Sequence, residues 1–199
     1  MKRIINKGLS LSRKVNCVDL DEAIKGRRSI RSYLTDPVPE ELIREVLEAA
    51  TYAPSAKNGQ QWRFTVLTGN AKKELTDIFR QELRFLCREI GAENMGSSFG
   101  SCNIMEEAPV VIVVWNAGEE GWETEVHSVA AAIQNMLLKA YGLGLGSLWI
   151  GDIFFVPEAF IRHFETPWKL MAAVTLGWPN HDPSPLPRKS VDQVTEFLG

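Results

Sequence analysis

The chain has 199 residues, 45% of them hydrophobic and 24% charged, which suits one globular domain with a core large enough to need no staples. A net charge of −3 excludes a general polyanion binder, and no run approaches the ~20 apolar residues of a membrane-spanning helix. Three cysteines (Cys17, Cys87, Cys102) without a C-x-x-C pair argue for reduced thiols in a cytoplasm, not for a disulfide framework or a zinc site.

Residues 1–18 form a basic arm without a continuous apolar stretch, so it is not read as a signal peptide; residues 19–199 are expected to form the single domain. Asp19 is a fair N-cap for a short helix carrying Leu20, Ala23 and Ile24 and stopped at Gly26. After Pro39, the spacing of Leu42, Ile43, Val46, Leu47 and Ala50 predicts a helix that ends before Pro54. The stretch A-P-S-A-K-N-G-Q (53–60) is dense in turn formers and reads as a loop. Trp62, Phe64, Val66 and Leu67 predict a strand closed by Gly69-Asn70, and 71 to about 90 an amphipathic helix.

Residues 93–103 read as irregular, because small residues interrupt them three times. V-V-I-V-V-W (110–115) has the unbroken apolar character of a strand buried on both faces. The helix expected over 123–141 is apolar on almost every side, so it belongs inside the protein or inside an interface. Strands are expected at 147–150 and 170–176, with a short helix from Pro157 between them. The tail is extended and proline-rich, with V-D-Q-V-T-E-F-L as a possible last strand. Alternating helices and strands predict a mixed α/β fold, a sheet covered by helices.

The run G-R-R-S-I-R-S-Y (26–33) crowds three guanidinium groups and two hydroxyls into an acidic protein. In an extended segment Arg27, Ser29 and Arg31 share a face; in a helix Arg27 and Arg31 still align. Arginine forks beside a hydroxyl match a phosphate in shape and charge, although three cations in isolation are more often a solvated basic turn. G-L-G-L-G-S (142–147) is not a dinucleotide fingerprint: its third glycine is one residue early, and a helix precedes it where a strand is required. It reads as a helix stop. His127, His163 and His181 lack metal-ligand spacing, so no metal site is expected. Glu106-Glu107 reads as a solvated helix end, and there is no G-x-S-x-G nucleophile elbow. An anion site without an evident acid, base or nucleophile implies that a bound cofactor carries the chemistry.

Five stretches together resemble the FMN-dependent nitroreductase family, in the family's order: R-R-S-I-R-S-Y (27–33), A-P-S-A-K-N-G-Q-Q-W-R-F (53–64), A-P-V-V-I-V-V (108–114), G-L-G-S-L-W-I-G (144–151) and G-W-P-N…P-L-P-R-K-S (177–190). The resemblance implies a three-layer α-β-α sandwich of α+β class. Its central sheet would be mixed and mainly antiparallel, and a C-terminal extension would reach a partner subunit. It implies a homodimer with FMN at the interface; a nucleic-acid partner conflicts with the net acidity and the lack of paired aromatic stacking positions. Arg27, Ser29 and Arg188 would hold the FMN phosphate, the backbone around Arg28 would meet the ribityl chain, and Arg31 would approach the N1/O2 edge of the ring. Pro54, Ser55, Ala56 and Asn58 of the other subunit would cover the ring, with backbone amides near Ile150 and Gly151 facing N5 and O4. No side chain is expected to be catalytic beyond Arg31 as a charge stabiliser.

The implied activity is an NADH- or NADPH-dependent flavin oxidoreductase that reduces nitroaromatic, quinone or similar planar acceptors by a two-electron ping-pong route. The alternatives are different flavin chemistry within the superfamily (dehalogenase, dehydrogenase or flavin-fragmenting enzyme), or an FMN-binding protein without turnover. Two departures stand out. Gln60-Gln61-Trp62 replaces a common Gln-Pro-Trp, and residues 85–107 match nothing in the family pattern.

Overall fold

The computed structural model describes residues 18–119 and 121–199; the basic arm, apart from Val18, and Cys17 lie outside the described residues. Asp19 caps the first helix, α1 (Leu20–Gly26), its carboxylate accepting from the Glu22 amide at 2.8 Å. Then follow α2 (Glu40–Thr51), β1 (Trp62–Leu67), α3 (Gly69–Ile90), α4 (Ser98–Glu107), β2 (Val110–Asn116), α5 (Glu123–Gly142), β3 (Gly146–Ile150), α6 (Pro157–Phe164) and β4 (Lys169–Gly177).

The four strands form one antiparallel sheet in the order β1-β2-β4-β3. All seven residues of β2 are buried, as an apolar run covered on both faces requires. Alternation divides the sheet's side chains between two cores. On one face Val110, Ile112 and Val114 pack with Val174 and Leu176 against Ile43 and Val46 of α2 and Val129, Ile133 and Met136 of α5. On the other, Val111, Val113, Trp115 and Leu170 meet Leu75, Phe79 and Leu83 of α3, Met105 of α4 and Phe160 of α6. Phe79 and Phe160 meet edge to face, with centroids 5.4 Å apart. This is a three-layer sandwich. The parallel component of the sheet is a single bridge between Ser29 and Ser147.

Two expectations need correction. Residues 93–103 are not irregular throughout: a 3-10 turn at Ala92–Asn94 leads into α4, which begins at Ser98. Its small residues permit close packing: Ser98 and Cys102 are fully buried, and Ser101 nearly so. V-D-Q-V-T-E-F-L also forms no strand; Val191–Gln193 is a 3-10 turn closed by a capping box from Ser190 to Gln193. Val191, Val194, Phe197 and Leu198 remain exposed, uncovered by any of the described residues.

Residues 142–147 do end a helix. Leu145 N donates to Ala140 O at 2.9 Å and Gly144 N to Tyr141 O at 2.9 Å, a Schellman closure with Gly144 at φ 74°. Gly146 follows at the start of β3, where an added Cβ would lie 2.9 Å from Ile30. These glycines turn the chain and admit a neighbour; they hold no nucleotide loop.

Candidate functional site

The arginine-bearing segment is stitched between two parts of the sheet. Ile30 N donates to Ser147 O at 3.0 Å on one side, while Leu34 N donates to Trp178 O at 2.9 Å and Asn180 N to Ser32 O at 3.1 Å on the other. Tyr33 locks it from beneath: its hydroxyl donates to Ile30 O at 2.9 Å and lies 2.7 Å from Thr175 Oγ1. The tyrosine's one proton is used on the carbonyl, so Thr175 is the donor in the second bond. Burial pushes the Tyr33 hydroxyl well above the ordinary tyrosine range, against weaker lowering by Thr175 and Arg31. The segment is extended, so the two-residue periodicity of Arg27, Ser29 and Arg31 is the one that applies.

Arg27 and Arg188 are far apart in sequence, yet they act on each other. Burial, then the like charge of Arg188, then that of Arg28, lowers the Arg27 guanidinium below its ordinary value. Two like charges bearing on Arg27 make a place where an anion is favoured. The Arg28 guanidinium turns back to cap α1, donating to Lys25 O at 2.6 Å and Arg27 O at 3.0 Å. Arg31 donates to Ser29 O at 3.3 Å. Beside this cluster is a cavity of ≈ 220 Å³ lined by Arg27, Arg28, Tyr141, Ser147, His181 and Asp182. A Cβ on Gly26 would meet the Tyr141 hydroxyl, so the ring end of Tyr141 packs directly on the end of α1.

Ile150 and Gly151 lie at the far end of β3 from Ser147, roughly 10 and 14 Å along the chain at about 3.4 Å per residue. Gly151 is exposed and opens the 3-10 turn Asp152–Phe155. The next residue is clamped: Ser97 Oγ and Ser101 Oγ donate to Asp152 Oδ2 at 2.7 and 2.5 Å. Residues 85–107, unplaced by any motif, therefore contribute α4 as the buttress of this turn. The two serines are four apart, the spacing of one helix face, which was the available signal.

Pro54, Ser55, Ala56 and Asn58 are not beside the arginines. Their loop sits at the opposite end of α5, where Ala56 N donates to Ser128 Oγ at 3.0 Å. Ser128 and Tyr141 are about 20 Å apart along α5 at roughly 1.5 Å per residue. One chain therefore holds the two halves of the expected site apart. The face of α5 turned away from the core carries Ala130, Gln134 and Leu138, partly or fully exposed.

Among the described residues no group of His, Cys, Asp and Glu could hold a metal ion, and no helix is long and apolar enough to cross a membrane.

Residues 24–178 match the model of the nitroreductase family. A Methanothermobacter thermautotrophicus protein with the provisional name NADH dehydrogenase/NAD(P)H nitroreductase is 33% identical over 176 residues, covering 85% of this chain and 82% of that one. A 5,6-dimethylbenzimidazole synthase of Rhodospirillum rubrum is 27% identical over 182 residues, with 84% and 85% covered. Among solved structures, the FMN complex of a provisionally named nitroreductase from Desulfovibrio desulfuricans superposes with a TM-score of 0.73 at 28% identity, over 89% of this chain and 95% of that chain. With most of its length matched and its three layers shared, this chain belongs to the nitroreductase family.

Proposed function

We propose that the protein is an FMN-dependent oxidoreductase that takes hydride from NADH or NADPH and works as a homodimer. The observation that carries this reading is that Arg188, from the far tail, and Arg28 both bring positive charge to bear on Arg27, a repulsion that a phosphate dianion would relieve. The residues present fit the cofactor. Ser29 is bridged to Ser147 beside the cluster, and the edge of β3 runs from there to the exposed Gly151, offering a line from a phosphate end to a ring end. Arg27, Ser29 and Arg188 would hold the phosphate, the backbone at Arg28 the ribityl chain, and the amides at Ile150 and Gly151 the ring's N5/O4 edge. Arg31, anchored on Ser29 O, would place a positive charge at the N1/O2 edge, where it favours negative charge arriving on the ring.

When bound, FMN supplies a ring that accepts hydride from the nicotinamide and passes two electrons to an acceptor. The protein's part is to bind, orient and shield. The covering loop, Pro54 to Asn58, cannot meet the arginines of its own chain. It reaches those of a partner if two α5 helices pack antiparallel, so that the Ser128 end of one lies over the Tyr141 end of the other. The half-exposed Ala130 and Leu138 on α5 suit that contact, and the exposed apolar side chains of the tail suit a wrap onto the partner. Planar acceptors such as nitroaromatics and quinones would stack where the nicotinamide leaves.

The purified protein is expected to be a yellow dimer, bleached without oxygen by NADH or NADPH, with parallel lines in double-reciprocal plots. A colourless protein that binds no FMN on titration would overturn the proposal. The similarity to a 5,6-dimethylbenzimidazole synthase supports a second reading, conversion of the reduced flavin itself under oxygen. Mass spectrometry of the aerated reduced protein for 5,6-dimethylbenzimidazole decides between them.

A further inference from the structure

The loop over 53–60 contains three non-glycine residues in the left-handed region within four positions: Lys57 at φ 53°, Asn58 at 53° and Gln60 at 47°. Residues with a Cβ avoid this region, and such conformations persist only where the surroundings impose them. Some of the restraint is internal. Asn58 N donates to Ser55 O at 3.0 Å, Gly59 N to Ala56 O at 2.9 Å, and Gln60 N to Ser55 Oγ at 3.1 Å. Those bonds close the turn on itself without fixing where it stands.

Two tethers fix the middle of the loop to the body, and both are on α5 or its cap. Lys57 Nζ lies 4.1 Å from the centroid of the Trp122 ring, but Trp122 is 40% exposed and the contact is open to solvent. The other is shielded. Ser128 is 5% exposed; its hydroxyl accepts from Ala56 N at 3.0 Å and donates to Thr124 O at 2.6 Å. Its single proton is thereby committed to the helix carbonyl, so the oxygen faces the loop as an acceptor for the first residue of the strained turn.

The geometry points to Ser128 as a positioning residue: its hydroxyl fixes the Ala56 amide and so holds the left-handed turn at the height where it covers the ring of the partner's flavin. The covering role rests on the flavin-oxidoreductase reading above; the restraint on the turn does not. Replacement by alanine leaves the Ala56 N–H without its acceptor and lets the turn leave α5. The loss falls on the ring and not on the phosphate, because the arginines lie at the other end of the helix. FMN and riboflavin, which lacks the phosphate, are therefore affected alike.

The experiment compares wild type, Ser128→Ala and Ser128→Thr by fluorescence titration with FMN and with riboflavin, at a temperature well below thermal unfolding. Hydrogen exchange is followed at the 55–60 amides. Expected are about tenfold weaker binding of both flavins by Ser128→Ala, in equal proportion, faster exchange at Ala56, and recovery in Ser128→Thr, which keeps the oxygen. Unchanged flavin affinity in Ser128→Ala, or a loss confined to FMN, would overturn the inference; a general loss of stability alone moves neither ratio nor affinity at that temperature. If Ser128→Ala does not fold, exchange in the wild type decides: an Ala56 amide as labile as an exposed one overturns the tether, a protected one supports it. If wild type binds neither flavin, the functional proposal fails, while exchange at Ala56 still judges Ser128.

Discussion

The Tyr33 hydroxyl lies 2.7 Å from Thr175 Oγ1, joining the segment that carries the arginines to the strand running through the middle of the sheet. Thr175 is fully buried and Tyr33 nearly so, and the same phenol also holds Ile30 O, within its own segment. One hydroxyl thus adds a buried side-chain anchor to the backbone bonds that hold this segment against Ser147 and Trp178.

Tyr33→Phe removes that hydroxyl and leaves Thr175 Oγ1 and the Ile30 carbonyl short of a partner. The expected cost is about 1–3 kcal/mol of stability, read from denaturant unfolding, together with weaker FMN binding. Unaltered unfolding would show that Thr175 finds another partner.

The same residue predicts an alkaline limit. The Tyr33 phenol is raised in the fold by burial, so the native state keeps a proton that the unfolded chain releases near the ordinary tyrosine value of 10.0. Its contribution is complete below that value and declines as pH rises above it. Tyr33→Phe should flatten the fall of stability with pH above about 10 in urea titrations.

Arg188→Ala should release FMN far more readily than Lys189→Ala. A charge-assisted hydrogen bond contributes about 1.5–3 kcal/mol, so the dissociation constant should rise roughly 10- to 100-fold for the first variant. Equal retention by both would move the phosphate away from Arg188.

Gly146→Ala places a methyl 2.9 Å from Ile30, against the branched part of the side chain near its backbone. Overpacking at such a point costs about 1–3 kcal/mol, and here it also displaces Ser29 next in the chain. Thermal unfolding and FMN titration should both register it.

Cys102 is fully buried on α4, and burial pushes its thiol up to about 11. Ellman's reagent at pH 8 should leave it unmodified in the native protein and label it on unfolding.

Much of the fold was legible because its signals are local. The Asp19 cap, the period of α2, the unbroken apolar β2 and the glycine stop of α5 each follow from neighbouring residues. The α4 region was obscured because Gly96, Ser97, Ser98, Gly100 and Ser101 resemble turn chemistry, whereas Ser98 and Ser101 are buried against the core and the other three lie on the surface. Motif resemblance named the arginines and the 54–58 loop, but not what positions them. Tyr33 with Thr175, Ser97 and Ser101 with Asp152, and Ser128 with Ala56 are long-range pairs that leave no periodic trace.

The length of α5 between Ser128 and Tyr141 also fixes how damage would be inherited in the proposed dimer. Each chain lends its arginines to one cofactor and its loop to the other. Mixed assemblies of an arginine-deficient chain with a loop-deficient chain would then concentrate both lesions in one site and leave its twin whole. Two inactive preparations, dissociated and re-associated together, would regain a share of turnover that neither shows alone.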